Sequence, residues 1–347
     1  MTGRTAILGA GSWGTALAVL LAEQRRRVVL WARRAEQAQL LEQTRTNPTY
    51  LPGVRLPQEV RVTADLEGAL READMVVVAT PSHAVRQLAE RMRPYVTAGM
   101  ILVSVTKGIE ASTLKTVTQI LAETLPQLPE TQLCVLHGPS HAEEVARHLP
   151  TTVVAASREI ETAQTVQERF MTPMFRVYTN TDLVGVEIAG AVKNVLAIAA
   201  GICDGLELGD NTKAALITRG LAEMARLGIA MGASPLTFAG LAGIGDLVVT
   251  CMSRHSRNRY VGEQIGRGRP LEAVLAEMPM VAEGVRTTRA VHALAQHHQV
   301  EMPISTAVYE VLFAGKTPQQ AVLELMTRSA KEEHWLGGLS VSAYPGS

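Results

Sequence analysis

Apolar residues follow two different spacings in the first half of the chain. Short runs are apolar at nearly every position, and the stretches between them carry apolar residues at every third or fourth position. The runs predict buried strands, at residues 5–8, 27–31, 75–79, 100–104, 133–136, 152–155 and 175–178. The spaced stretches predict helices, among them 15–24, 84–93 and 112–123. This alternation predicts a mostly parallel sheet that helices cover on both faces.

The pattern changes near residue 180. From residue 182 onward no strand pattern occurs, and long helical stretches rich in Ala, Leu, Val and Ile are separated by Gly and Pro. The polar segment 179–182 is therefore the predicted boundary. We expect an α/β domain at residues 1–180, an all-helical domain at 181–340 and a tail at 341–347.

Composition narrows the classes of function. The chain has 347 residues, which suits two domains, and its 33 basic and 33 acidic residues leave no net charge. Nucleic-acid binders carry a basic surface, so we expect no nucleic-acid partner. The few residues before the first predicted strand leave no room for a signal peptide, and three scattered cysteines indicate a reducing compartment. We expect a cytoplasmic protein with no membrane span and no metal site.

A glycine pattern follows the first predicted strand directly. Residues 9–14 read Gly-Ala-Gly-Ser-Trp-Gly, the G-x-G-x-x-G pattern. Gly9 permits a tight turn, Gly11 lets a pyrophosphate approach the backbone, and Gly14 lets helix and strand pack closely. Free N–H groups at the start of the next helix favour phosphate. The pattern predicts a dinucleotide site, and the alternative is an ordinary glycine turn.

The end of the second predicted strand indicates which dinucleotide is preferred. NAD sites normally place a carboxylate there to bind the ribose 2′-hydroxyl. The segment 31–34 has Arg33 and Arg34 instead, with no carboxylate. Two guanidiniums suit a 2′-phosphate, so NADP is expected to bind at least as well as NAD. The alternative for either arginine is capping a surface helix, so the two are assigned jointly.

One lysine lies inside an apolar helical stretch. The chain has only six Lys among its 33 basic residues, and the stretch 183–203 has Glu187 and Lys193 as its only charges. Gly190, Lys193, Asn194 and Ala197 share one helix face. Desolvation lowers a lysine pKa, as a proton donor near neutral pH requires. The alternatives are a Lys193 side chain that reaches the helix end or one paired with Glu187, which lies well off its face.

Further groups suit an anionic substrate. Lys107 follows the strand predicted at 100–104, where α/β sheets place ligand residues, and it faces either the crevice or solvent. The segment 253–259 contains three Arg, two Ser and one Asn, and it follows Asp246 closely. Such a segment can hold a phosphate, although by itself it reads as a solvated basic loop. The segment 137–141 follows another predicted strand and is similarly placed.

These motifs together resemble the soluble NAD(P)-dependent glycerol-3-phosphate dehydrogenases of the bacterial type. The resemblance spans residues 5–335, and its most specific part is the stretch 190–211. It implies a Rossmann-type doubly wound α/β domain and an all-α C-terminal domain, as in 6-phosphogluconate-dehydrogenase-like folds. The other matching segments are 9–16, 106–110, 138–144, 243–250, 257–259 and 283–284.

The resemblance implies reduction of dihydroxyacetone phosphate to sn-glycerol 3-phosphate with NAD(P)H, which supplies glycerophospholipid synthesis. Lys193 would donate the proton to the ketone oxygen. A homodimer is expected on a separate ground, because a helical domain rich in Ala and Leu can supply a dimer face. The implied substrate residues are Lys107, Gly138, Ser140, Lys193, Asn194, Asp246, Ser256, Arg257 and Asn258. The implied cofactor residues are Gly9, Gly11, Ser12, Trp13, Gly14, Arg33, Arg34, Tyr50, Lys107, Ala142, Arg257, Val281 and Glu283.

Two other functions are compatible with the same architecture. A β-hydroxyacid or ketopantoate type of reductase would act on a carboxylate, which leaves the segment 256–259 without a phosphate to hold. A non-catalytic sensor would bind NADPH without consuming it, and would not need Lys193 in an apolar helix. A fold by itself does not decide among these functions.

Overall fold

The computed structural model describes residues 3–278, 280–330 and 333. We call residues 3–180 the α/β half and residues 181–330 the helical half. An eight-stranded sheet in the order β10-β9-β8-β7-β6-β1-β2-β5 forms the centre of the α/β half, and β3 pairs with β4 separately. The strands are β1 (Arg4–Leu8), β2 (Arg27–Trp31), β3 (Thr46–Asn47), β4 (Leu51–Arg55), β5 (Val60–Thr63), β6 (Ala73–Val78), β7 (Ile101–Ser104), β8 (Leu133–His137), β9 (Thr151–Ala156) and β10 (Phe175–Asn180).

Helices cover both faces of this sheet. Neighbouring strands are parallel except β8 and β9, which are antiparallel. Side chains alternate between two hydrophobic clusters, so that Ile7 packs on one face while Ala6 and Leu8 pack on the other. The helices are α1 (Ser12–Glu23), α2 (Ala35–Thr44), α3 (Leu66–Leu70), α4 (Val85–Met92), α5 (Val117–Thr124), α6 (Ala142–Val145) and α7 (Ile160–Phe170).

The described part of the helical half contains helices and no strands. Its elements are α8 (Leu183–Gly205), α9 (Gly209–Ala230), α10 (Pro235–Phe238), α11 (Asp246–Met252), α12 (Arg257–Gly266), α13 (Leu271–Ala276), α14 (Glu283–His297), α15 (Pro303–Phe313) and α16 (Pro318–Met326). Asp182 caps α8 by accepting a hydrogen bond from the Gly185 N–H at 2.9 Å. The stretches 183–205 and 235–252 are apolar enough to cross a membrane, but 94% of the first is buried in the protein. The helix α8 is thus the core of the helical half.

The helices α8 and α12, which carry four of the predicted substrate residues, cross in direct backbone contact. A Cβ added at Gly262 of α12 would lie 2.0 Å from the Ile198 carbonyl oxygen of α8. A side chain there would force the helices apart, so glycine is required at this crossing. The start of α12 is consequently held close to the middle of α8.

The predicted fold class and all seven predicted strands are confirmed, with strand ends shifted by at most two residues. The strands β3, β4 and β5 were missed because they are short, partly polar and lie in a separate pair or at the sheet edge. The helix predicted at 112–123 begins only at Val117, so its first residues were predicted wrongly. Strands end at Asn180 and α8 begins at Leu183, whereas the domain limits stay a prediction and the tail 341–347 lies outside the described residues.

Candidate active site

The carboxyl ends of four parallel strands meet at one edge of the sheet. Gly9 follows β1, Arg33 lies just beyond β2, Lys107 lies beyond β7 and Gly138 follows β8. Open α/β sheets bind ligands at this edge, where the strand order reverses. The chain thus brings four sequence-predicted site residues to one crevice although they span about 130 positions.

Lys193 lies in the middle of α8 and is 5% exposed. Its Nζ donates hydrogen bonds to Oδ1 of Asp246 at 2.5 Å and to Oγ1 of Thr250 at 2.7 Å. Asp246 and Thr250 are one turn apart on α11, so both point at the same face of α8. The buried position predicted for Lys193 is confirmed, and the alternative in which it reaches the helix end is wrong.

A second lysine reaches the same carboxylate from the α/β half. Lys107 Nζ donates to Oδ2 of Asp246 at 2.7 Å and to the Gly138 carbonyl oxygen at 3.2 Å. Ser140 Oγ donates to that same carbonyl at 3.0 Å. Of the two orientations open for Lys107, the structure shows the one toward the crevice. Asp246 therefore bridges two ammonium groups that come from different halves of the chain.

The charges of this cluster are strongly coupled. Burial lowers the pKa of Lys193 to about 7, Asp246 opposes this effect and Lys107 adds to it. Burial alone would raise the pKa of Asp246, but Lys107 and Lys193 hold it below its ordinary value. A lysine with a pKa near 7 can give up or take a proton at neutral pH, whereas an arginine cannot. The cluster is thus suited to proton transfer beside an anionic substrate.

Glu187 is not the partner of Lys193. Its carboxylate is buried and accepts hydrogen bonds from Thr116 and Thr118 in the α/β half. The alternative that paired Glu187 with Lys193 is therefore wrong. Gly190, one turn before Lys193, lets the His137 ring pack against α8, because a Cβ there would lie 2.7 Å from Nδ1 of His137.

The first turn of α12 lies beside Asn194. Ser256 caps the helix by accepting from the Arg259 N–H at 3.2 Å. Asn258 donates through Nδ2 to Oδ1 of Asn194 at 2.9 Å and accepts from the Gly284 N–H at 2.9 Å. The expected solvated loop is thus partly wrong, since residues 257–259 begin a helix whose free N–H groups can receive an anion.

The arginines of this segment differ in their partners. Arg257 is exposed and donates through Nη1 to the Val281 carbonyl oxygen at 2.8 Å, so these two predicted cofactor residues are in contact. Arg259 instead pairs with Asp204 on α8 at 2.6 Å. Of the arginines expected to cradle a phosphate, Arg259 is therefore directed to an ion pair away from Lys193.

The glycine loop has the geometry that its pattern predicts. A Cβ at Gly14 would lie 1.9 Å from the Gly9 carbonyl oxygen, and Gly9 itself has a φ of 131°. Nothing lies within 4 Å of a Cβ at Gly11, which leaves open space above the loop. Ser12 begins α1, and the partly buried Trp13 packs near Ala142 and Phe175. The loop and the start of α1 fit the pyrophosphate of a dinucleotide.

The two arginines predicted to hold a 2′-phosphate lie at the carboxyl end of β2. Arg33 and Arg34 are both exposed at the end of β2. Arg34 and Tyr50 line one cleft of about 340 Å³. Arg34 precedes α2 but its side chain makes no capping hydrogen bond, so the capping alternative is wrong for Arg34.

Glu283 accepts a hydrogen bond from the N–H of Ser82 at 3.1 Å and another from the Ser82 hydroxyl at 2.6 Å. These two hydrogen bonds join the helical half to the α/β half near the crevice.

Comparison with known proteins assigns the chain to a family. Residues 4–163 match the N-terminal part of the NAD-dependent glycerol-3-phosphate dehydrogenases, and residues 182–323 match their C-terminal part. The chain belongs to this family. A relative from Salinibacter ruber, named glycerol-3-phosphate dehydrogenase [NAD(P)+] 2, is 59% identical over 330 residues, which cover 95% of this chain and 96% of the relative.

Two further comparisons agree. A glycerol-3-phosphate dehydrogenase [NAD(P)+] from Chlorobium limicola is 59% identical over 94% of this chain and 98% of its own length. The crystal structure of the glycerol-3-phosphate dehydrogenase from Coxiella burnetii is similar with a TM-score of 0.90 and 41% identity, over 94% of this chain and 99% of that one. The chain is thus an NAD(P)-dependent oxidoreductase by family membership.

In this member of the glycerol-3-phosphate dehydrogenase family, sequence reasoning left several site residues unassigned. His137 is buried, and its Nδ1 lies 3.2 Å from the Val186 carbonyl oxygen. Burial, and to a smaller extent the positive charge of Lys107, lower the pKa of His137 to about 3. The rings of His141 and His255 lie 5.7 Å apart between the two halves. The signal in the sequence for both His137 and His141 is the position of the segment 137–141 directly after a predicted strand. The signal in the sequence for Thr250 is its spacing of four residues from Asp246, which places both on one face of a helix.

A second missed group supports the glycine loop. The Ala10 carbonyl oxygen, between Gly9 and Gly11, accepts from Nε2 of Gln37 at 2.9 Å and from Nδ2 of Asn47 at 3.1 Å. Asn47 belongs to the small β3–β4 pair that the sequence pattern did not predict. The β3–β4 pair and α2 therefore each contribute one side chain that holds the glycine loop.

Proposed function

We propose that this protein reduces dihydroxyacetone phosphate to sn-glycerol 3-phosphate with NADPH or NADH. The observation that carries the proposal is the buried cluster of Lys193, Asp246 and Lys107 beside the first turn of α12. A ketone gains negative charge on its oxygen as it is reduced, so a nearby ammonium stabilises the transition state more than the ground state. Family membership supports the same reaction.

The residues of the outer crevice fit the cofactor. The backbone of the glycine loop would hold the pyrophosphate, and Arg33 with Arg34 would hold a 2′-phosphate. When bound, the reduced nicotinamide supplies a hydride to the ketone carbon. The other proposed cofactor residues are Gly9, Gly11, Ser12, Trp13, Gly14, Tyr50, Lys107, Ala142, Arg257, Val281 and Glu283.

The inner residues would bind and protonate the substrate. Lys193 donates the proton to the ketone oxygen, and Asp246 and Thr250 orient its Nζ. The phosphate lies at the start of α12, where the helix N–H groups favour an anion. Arg257 can supply paired donors to this phosphate. The other proposed substrate residues are Lys107, Gly138, Ser140, Asn194, Ser256 and Asn258.

The decisive experiment is NADPH oxidation by purified protein with dihydroxyacetone phosphate and, separately, with dihydroxyacetone. We expect rapid oxidation with the phosphate ester alone, because the substrate is held through its phosphate. Oxidation with 2-ketoacids but not with the ester would favour the reductase for carboxylates. NADPH binding without turnover of any of these compounds would favour the sensor.

We expect the double substitution Arg33→Asp with Arg34→Ser to weaken NADPH binding selectively. The change removes two guanidiniums from the place proposed for the 2′-phosphate and adds the carboxylate typical of NAD sites. Dissociation constants from nicotinamide fluorescence should rise about tenfold or more for NADPH and much less for NADH. Equal losses for both cofactors would contradict the 2′-phosphate assignment.

The product class, location and assembly extend the proposal. sn-Glycerol 3-phosphate would supply glycerophospholipid synthesis. We propose that the protein acts in the cytoplasm, and cell fractionation tests this location.

We also propose a homodimer, because the helical half exposes Leu236, Met252 and Met326. Large exposed apolar side chains are common at subunit contacts. Light scattering that gives the monomer mass at micromolar concentration would contradict the dimer.

A further inference from the structure

One segment of the α/β half packs against the helical half. We call residues 107–118 the docking segment. It begins with Lys107 and ends in the first turn of α5. Ile109 is 3% exposed and lies in the hydrophobic core of the helical half, with Leu114 packed against the same core. The side chain of Ile109 thus ties this segment to the opposite half of the protein.

The docking segment has a defined shape of its own. A β-bridge joins Ile109 and Thr116, and the Glu110 N–H donates to the Lys115 carbonyl oxygen at 3.0 Å. Glu110 also pairs with Arg86 of α4 at 2.8 Å. Because its two ends are joined, a displacement at Thr116 would be transmitted toward Ile109 and the neighbouring Lys107.

Glu187 of α8 holds the distal end of this segment. Oε1 accepts from the Thr118 N–H at 2.9 Å, and Oε2 accepts from the hydroxyls of Thr116 at 2.8 Å and Thr118 at 2.5 Å. Glu187 is 4% exposed, and burial raises its pKa against these hydrogen bonds. A buried carboxylate with several donors is costly to disturb.

The same helix carries the reacting lysine. Lys193 follows Glu187 by six residues, a rise of about 9 Å along a rigid helix. At one end of this stretch α8 holds Thr116 and Thr118, and at the other it holds Asp246, to which Lys107 is bound. The docking segment therefore meets the Lys193 cluster at one end and Glu187 at the other.

We propose that Glu187 is a positioning residue: by holding the docking segment against α8, it sets where the Lys107 ammonium meets Asp246 and Lys193. The inference rests on the proposed function of Lys193 as proton donor. Glu187 itself touches neither Lys193 nor the crevice, so its effect on the reaction is indirect. It acts through Thr116 and Thr118 on the placement of Lys107.

A change in proton affinity at Lys193 would reveal this effect. The charged and titratable groups around Lys193 are Lys107, Asp246, His137, His141 and Cys251. Of these, Lys107 lowers the pKa of Lys193 and Asp246 raises it. If the Lys107 ammonium moves away, it no longer repels the Lys193 ammonium, and the Asp246 carboxylate pairs with Lys193 alone. The pKa of Lys193 must then rise, and reduction, which needs the protonated amine, persists to higher pH.

The test compares Glu187→Gln with Glu223→Gln. Glu223 is an equally buried carboxylate, which accepts from the N–H groups of Ile304 and Ser305 at 2.6 and 3.0 Å and from the Ser305 hydroxyl at 3.0 Å. It joins α9 to α15, so it controls for the loss of a buried acceptor. Thr118→Val removes one hydroxyl donor and serves if Glu187→Gln does not fold.

We expect two results for Glu187→Gln and, more weakly, for Thr118→Val. The high-pH midpoint of kcat for dihydroxyacetone phosphate reduction should rise by about half a pH unit or more. Amide hydrogen exchange, measured without cofactor or substrate, should accelerate about tenfold in residues 107–118. Glu223→Gln should leave both unchanged while losing comparable stability.

Two outcomes would overturn the inference. One is a midpoint in Glu187→Gln equal to that of the wild type. The other is exchange in the docking segment no faster than in Glu223→Gln. If the wild type fails to reduce the substrate, the proposed function fails instead. The exchange measurement needs no turnover, so it still tests whether Glu187 holds the docking segment against α8.

Discussion

Lys193→Ala is expected to lower kcat for dihydroxyacetone phosphate reduction by about a thousandfold, a loss typical of a removed general acid. The substitution removes both the proton donor and one ammonium beside the developing oxyanion. Alanine is a good helix former, so α8 should persist. The glycine loop is untouched, and NADPH affinity should stay within about twofold of the wild type. Steady-state kinetics and nicotinamide fluorescence measure the two effects separately.

Two companion variants make the Lys193 result specific. Lys213→Ala removes another largely buried lysine, one paired with Asp204, and should keep nearly full activity. Lys193→Arg keeps the positive charge but cannot release its proton near pH 7, so it should remain strongly impaired. Activity of Lys193→Ala within about tenfold of wild type, or about 1.4 kcal/mol in barrier, would contradict the assignment.

The parts of the fold that sequence predicts are those with local causes. Strands such as β1 and β6 are buried on both faces, so nearly every position after their first two residues is apolar and the pattern predicts a strand clearly. The edge strand β5 has only one buried face and four residues, and its pattern resembles that of a loop. The start of α5 was misplaced because Leu114 has helical spacing to Val117 and Leu121, although its side chain packs on the core of the helical half.

The candidate site divides in the same way. The loop from Gly9 to Gly14 and the apolar surroundings of Lys193 are properties of short stretches, and sequence predicts both. The pairing of Lys107 with Asp246 joins residues 139 positions apart, so no local spacing reveals it. Glu187 was considered only as a partner for Lys193, because its real partners lie in the other half. The sequence therefore predicts which side chains belong to the site, whereas tertiary packing determines which of them form hydrogen bonds with one another.

Asp246→Asn is expected to lower the reduction rate at pH 7 by about a hundredfold. Asp246 accepts from Lys107 and Lys193 at once, and an amide has one acceptor oxygen where the carboxylate has two. Loss of the negative charge lowers the pKa of Lys193 further below about 7, because Asp246 is the group that raises it. At pH 7 most of Lys193 would then be neutral and unable to donate a proton.

The pH profile separates this explanation from a general loss of structure. The high-pH limb of kcat should move to lower pH in Asp246→Asn, opposite to the shift expected for Glu187→Gln, and activity should partly recover below pH 6. Asp204→Asn is the matched control, since Asp204 also bridges two cations, Lys213 and Arg259, away from Lys193. Breaking a buried ion pair costs about 3–5 kcal/mol, so Asp246→Asn should lose stability on denaturation, and Asp204→Asn, at a partly exposed carboxylate, should lose less. The high-pH limb should move in Asp246→Asn and stay in place in Asp204→Asn. This combination alone would assign the titration that limits kcat at high pH to the Lys193 cluster.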